Sequence, residues 1–316
     1  MPITVWLIFF AIYSALLVLD LGVLHRESKE ISVSSALYAT LMWIVVATLF
    51  ATLIFALYHY QWFGVETALT GQQALVQFIT GYVLEWSLSV DNIFVIAVIL
   101  GYMQIPLQYQ YRVLFWGIVG AIVLRGLMII AGAALIHSFD WMFYVFGLIL
   151  LWSAIGMVRS DDKFDPASSS MMRIVKRLVP ITDALHDDQF VVRVNQRRMA
   201  TPLLLALLFV DLADVVFAVD SIPAVFAVTQ DTFLVFTSNA FAILGLRALY
   251  FAVAGLLNLF KYLKTSLVIV LGFIGIKMLL HTLVKIPDIL SLAIIIGVLF
   301  TGVMLSIWFD KDEKTS

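Results

Sequence analysis

Two stretches of this chain place carboxylates where a lipid bilayer would normally hold none. Leu84 to Val95 reads LEWSLSVDNIFV and carries Glu85 and Asp91 inside an otherwise apolar run. Ala213 to Val225 reads ADVVFAVDSIPAV and carries Asp214 and Asp220 at the same separation. Acids inside a membrane span are costly, and they mark ion pathways or proton relays. Asp211 adds a further acid one turn before Asp214, while Asn92, Ser221 and Asn239 add carboxamide and hydroxyl oxygens. These are hard donors, and without Cys they suit Mn, Mg or Ca better than Zn or Cu. Several acids around one divalent ion leave excess negative charge. Arg125 and Arg247, each inside an apolar run, could offset it, and proton binding by the acids offers a route to ion–proton exchange.

The elements that must hold these residues are membrane spans. The chain has 316 residues, of which 63% are hydrophobic and 13% charged, with a mean hydropathy of +1.04. A soluble domain carries about 25% charged residues, so the reading is a polytopic membrane protein. Its apolar runs are continuous instead of alternating, which argues against a β-barrel. With no Cys, disulfides and thiol redox chemistry are excluded. A net charge of −2 points to no nucleic-acid partner. MPITVWLIFF lacks a basic leader region and reads as the first span, not a signal peptide.

Apolar runs fall at 3–24, 36–59, 73–101, 111–136, 141–158, 202–226, 233–258, 265–283 and 289–309. Each is near the roughly 20 residues that a bilayer demands. The fold class expected is therefore all-α, a bundle of about nine transmembrane helices. Lys and Arg concentrate in alternate connections, most heavily in the central one, where Arg159, Lys163, Arg173, Lys176, Arg177, Arg193, Arg197 and Arg198 fall. By the positive-inside rule the N-terminus lies outside, and the central loop and C-terminus lie in the cytoplasm.

The acidic stretch is one part of a longer repeat. GAIVLRGLM around Arg125 returns as AILGLRALY around Arg247, and Ala154–Gly156 resembles Ile274–Ile276. Three spans per copy is an odd number, so the copies are inverted, as in many transporters with midplane sites. The organisation expected is peripheral spans at 1–60, one repeat at 73–159, a basic loop at 160–200, a second repeat at 201–283, a ninth span at 289–309 and a tail at 310–316. Within the loop, SMMRIVKRLV reads as an amphipathic surface helix or a solvated segment, and HDDQFVVRVNQRRMATP reads as a small hairpin. His186, Asp187 and Asp188 could contact a cation there.

Geometry limits the site. Residues six apart on a helix stand roughly 120° apart in projection. Glu85 and Asp91 can thus share one ion only if the third span is irregular; a straight helix implies two stacked acidic layers. Pro223 offers a break in the second copy, because it removes the amide that would bond the Val219 carbonyl. Glu85 with Arg125, and Asp214 with Arg247, could equally be ion pairs that fasten helices. Gly117, Gly120 and Gly126 read as sites of close helix packing, Trp62, Trp141 and Trp308 as interface anchors, and Lys277 as a snorkelling side chain.

VDN at 90–92, VDSIPAVFAVT at 219–229 and TSNAFAILGLRALYF at 237–251 closely resemble the TerC integral membrane proteins, and within them the Alx branch. The resemblance implies a multi-pass protein of the bacterial inner membrane, in the wider LysE-type transporter group. It further implies manganese export, a historical link to tellurium resistance, and a metal site at Glu85, Asp91, Asp211, Asp214 and Asp220. The function expected is Mn2+ efflux by alternating access, with no enzymatic activity. The partners expected are a divalent ion, protons and membrane lipid, with a second copy of the chain left open. A non-transporting interaction protein, acting through the basic loop, is the alternative. An intramembrane aspartyl protease is set aside, since no Gly-x-Gly-Asp stretch occurs and the acids are too many for a dyad.

Overall fold

The structure is a computed structural model in which residues 1–20, 33–139, 141–159, 182, 188–194, 197–254, 263–280 and 286–313 are described. Its order is α1 (Ile3–Val18), α2 (Val33–His59), α3 (Gly71–Tyr102), α4 (Leu107–Ser138), α5 (Met142–Arg159), β1 (Val191–Val194), β2 (Arg197–Ala200), α6 (Pro202–Phe226), α7 (Thr232–Leu244), α8 (Leu246–Ala254), α9 (Leu263–Leu279) and α10 (Asp288–Glu313). Helix starts follow from local chemistry. Thr70 and Gln73 form a reciprocal capping box at α3. Asp231 accepts from the Phe233 amide at 2.9 Å to cap α7.

Among the described residues, Ser34–His59, Gln108–Ser138, Pro202–Phe226 and Asp288–Ser306 are long and apolar enough to cross a membrane. Ile3–Val18, Tyr144–Val158, Thr232–Leu244 and Thr265–Leu279 are shorter apolar helices. The fold is all-α apart from the expected hairpin, in which β1 and β2 pair antiparallel with Val191 opposite Ala200 and Val194 opposite Arg197.

Helix irregularity falls where the sequence did not place it. The α3 helix runs unbroken through Glu85 and Asp91. Likewise α6 continues through Pro223, whose carbonyl accepts from the Ala227 amide at 3.0 Å. Pro223 lies one turn from the helix end and is buried with Ile222 and Ala224, so packing holds the turn whose amide is missing. The interruption comes at Gly245, which divides the seventh apolar run into α7 and α8. Glycine is a weak helix former, and this one lies against Trp43 of α2.

Contact registers give the helix directions. Gly117 meets Val210, Gly120 meets Asp211 and Gly132 meets Phe226, so α4 runs parallel to α6. Ser153 meets Asp220 and Phe146 meets Phe226, so α5 opposes α6. The α5–α9 contact is reciprocal: a Cβ on Gly147 would stand 3.1 Å from the Gly275 carbonyl and Leu279, and one on Gly275 would stand 3.0 Å from the Gly147 carbonyl and Leu151. Backbones meet there because neither glycine has a side chain, and the pairing order is antiparallel. Aromatic packing seats α1 and α2 on α7, with Phe50 stacked on Phe241 at 4.2 Å and Trp6 edge-on to Phe233 at 5.0 Å.

Connections also sort into two ends. At one, Tyr58 donates to Asp231 at 2.8 Å and Gln77 donates to Asp288 at 3.0 Å. At the other, Arg112 pairs with Asp188 and covers the Phe190 ring at 5.4 Å, while Tyr250 donates to Gln110 at 2.9 Å. Asp188 thus has a protein partner. His186, Asp187 and the SMMRIVKRLV segment lie outside the described residues.

Candidate ion site

Arg125 stands at the centre of the bundle, 2% exposed, on the face of α4 that looks toward α3, α6 and α7. Its guanidinium has five N–H donors in a rigid fork, and each finds an oxygen. Nε donates to Asp214 Oδ2 at 3.0 Å and Nη2 donates to Asp214 Oδ1 at 2.6 Å. Nη1 pairs with Glu85 and donates to Asn239 Oδ1 at 3.3 Å. The second Nη2 hydrogen reaches Asn92 at 3.3 Å once the Asn92 amide is oriented by its hydrogen-bond network, with its nitrogen donating to the Leu88 carbonyl at 3.2 Å. Two carboxylates and two carboxamides from three helices thereby enclose one cation.

The ion pairs anticipated from the sequence change in one respect. Glu85 pairs with Arg125 as expected, but Asp214 also pairs with Arg125. A bidentate fork matches a carboxylate, and α4 runs beside α6 in the register that brings the two together. The Arg247 side chain lies outside the described ones.

Asp220 faces a different environment. Its Oδ2 accepts from Ser153 Oγ of α5 at 2.7 Å, and no cationic side chain among the described residues hydrogen-bonds it. It lines a cavity of about 460 Å³ between α3, α5 and α6, with Asn92, Ser153 and Phe217 among the walls. Asp91 lies on α3 one residue before Asn92, and its side chain is outside the described ones. Ser221 is buried and its Oγ has no hydrogen-bond partner.

Asp211 makes a third setting. Its carboxylate presses on the α4 backbone, where a Cβ on Gly120 would stand 2.7 Å from Oδ1. Oδ1 is buried and without a hydrogen-bond partner. Gly120, read from sequence as a packing residue, therefore makes room for an acid. Ser153 shows in the sequence only as a lone serine in an apolar span.

The expected ligands thus divide into layers along the bundle. Glu85 and Asp214 meet at Arg125 with Asn92 and Asn239, whereas Asp220 stands with Ser153 in the cavity and Asp211 stands against Gly120. Among the described residues no group of three or more Asp, Glu or His side chains converges as a ready metal centre. Asp214 and Asp220, six residues apart on the continuous α6, carry this layering, as helical geometry requires.

Residues 70–314 match the integral membrane protein TerC family. An uncharacterised membrane protein of Myxococcus xanthus is 44% identical over 98% of this chain and 94% of its own length. A Photorhabdus laumondii protein named Alx, described as a candidate membrane-bound redox modulator, is 41% identical over 98% of this chain and 96% of its own. The Escherichia coli protein of the same name is 40% identical over 96% and 94%. No solved structure matches the chain. With coverage this complete and motifs this long, the chain belongs to the TerC family of integral membrane proteins.

Proposed function

We propose that this protein exports a divalent metal ion, Mn2+ foremost, across the bacterial inner membrane by alternating access through the intramembrane acids, with proton exchange as a coupling route. The observation that carries the reading is Asp220. It is a half-buried carboxylate on a helix long and apolar enough to cross a membrane, lining a cavity of about 460 Å³ beside Asn92 and Ser153, without a hydrogen-bonded cationic partner among the described residues. A hard-oxygen set of this kind suits Mn, Mg or Ca. Asp91, Asp211 and Ser221 complete the donors available to an ion moving along the bundle, and Glu85 and Asp214 form the next layer.

An inverted three-plus-three repeat within nine spans supports alternating access. Evidence for that arrangement comes from the antiparallel α5–α9 contact, the parallel run of α4 beside α6, and the sorting of connections into two ends. It agrees with an N-terminus outside and a cytoplasmic C-terminus. The test is Mn2+ uptake into inverted membrane vesicles. Wild type should accumulate Mn2+, and Asp220→Asn should abolish uptake while keeping the folded protein; unchanged uptake in Asp220→Asn combined with Asp91→Asn would refute the reading.

A second reading has one observation in its favour. The hairpin leading into α6 is tied to the start of α4 through Arg112, Asp188 and Phe190, which gives the basic loop a fixed platform for a partner protein. On that reading, loss of Arg197 and Arg198 would cost more function than loss of Asp220. The description attached to the Alx relatives transfers less readily, since thiol chemistry has no cysteine here to run on.

A further inference from the structure

We infer that Arg125 is a tethered competitor for the transported ion: its guanidinium fills the Glu85–Asp214 layer in this conformation, must leave for a divalent ion to bind there, and returns to expel it. The inference rests on the reading of the chain as a divalent-ion exporter and gives that site its release step.

Around Arg125 stand the Glu85 and Asp214 carboxylates and the Asn92 and Asn239 carboxamides. Carboxylate and carboxamide oxygens are what a hard divalent ion takes as ligands. The Asn239 nitrogen donates to the Val235 carbonyl at 3.1 Å, which aims its oxygen at the guanidinium. The set is held by packing on α3, α6 and α7, so it persists as a set of acceptors when the arginine withdraws.

Charge and unused donors separate this role from simple fastening. One guanidinium against two carboxylates leaves a net −1 in a region removed from water, whereas a divalent ion against the same pair leaves zero. Glu85 Oε2 and Ser89 Oγ, one turn apart on α3, are buried without hydrogen-bond partners. Buried polar atoms are normally satisfied, so these two oxygens remain as further donors for an ion. The guanidinium also has a neighbouring layer beside it: Asn92, which meets Nη2, also lines the cavity that Asp220 faces. An ion entering the Glu85–Asp214 layer would take over both carboxylates as the guanidinium leaves them.

The test uses the full-length protein purified in nanodiscs, with Mn2+ alone as the probe. Arg125→Gln removes the tethered charge and keeps a hydrogen-bonding side chain. Arg125→Lys keeps the charge but has three donors instead of five and cannot bridge both acids as a fork. Equilibrium Mn2+ binding should tighten about tenfold or more in Arg125→Gln, since one charge-assisted bond is worth about that factor. Arg125→Lys should fall between the two and serves as the deciding variant if Arg125→Gln does not fold. In vesicle transport, KM and kcat should fall together in Arg125→Gln, because the ion enters easily and leaves slowly. Equal Mn2+ affinity in wild type and Arg125→Lys, with transport lost only in proportion to folded protein, overturns the inference and leaves the exporter reading standing. Absence of Mn2+ binding by every form overturns both.

Discussion

The acid pairs Glu85–Asp91 and Asp214–Asp220 share spacing and flanking residues, yet the described members of the two pairs differ in company. The first members of each pair meet at Arg125 in a cage with every guanidinium hydrogen used. In the second layer, Asp220 looks into a cavity and accepts from the Ser153 hydroxyl. Residue type alone does not decide between fastening and ligation. One arginine, carried by a helix lying parallel to α6, occupies the first layer and makes no hydrogen bond to Asp220 in the second.

Substitutions can break that contrast. The largest effect should come from Arg125→Ala, which strands two buried carboxylates. Removing one partner from a buried ion pair costs about 3–5 kcal/mol, so a thermal melt in detergent should show severe destabilisation or little folded protein. Asp220→Asn changes no buried ion pair and should leave the same melt close to wild type. If the two variants melt alike, the layers do not differ as described.

Next in size is Gly120→Ala. The new methyl would stand 2.7 Å from Asp211 Oδ1, so the carboxylate must move, and overpacking of this kind costs about 1–3 kcal/mol. Transport should fall further than the melting temperature does, because Asp211 is displaced while the helices stay paired. Gly147→Ala and Gly275→Ala sharpen the comparison of α5 with α9, since each methyl meets the carbonyl of the other glycine. Both should lower the melting temperature to a similar degree, and a large inequality would count against equivalent roles for α5 and α9. The smallest effect should be that of Arg112→Ala on the same melt. Its pair with Asp188 is partly exposed, and such pairs contribute about 0–1 kcal/mol.

Much of this was legible in the chain because membrane spans suppress charge, so each exception stands out. Glu85, Asp214 and Arg125 were visible for that reason, and the hairpin was visible through its alternation. The meeting of Asp214 with Arg125 was hidden, because sequence symmetry pairs each acid with the arginine of its own copy and contains nothing about α4 lying beside α6. Gly245 was hidden too: an interruption inside an apolar run leaves hydropathy unchanged, whereas Pro223 advertised a break that packing around Ile222 and Ala224 suppresses. Ser153 carried no signal until Asp220 was placed across from it.

The most direct test is Mn2+ flux through Asp220→Asn in inverted vesicles, normalised to folded protein. On the proposed reading flux should vanish while the variant melts like wild type, because Asp220 faces the cavity and its one side-chain bond, from Ser153, can be kept by an asparagine oxygen. Wild-type flux through that variant would contradict the assignment of the open layer as the ion path.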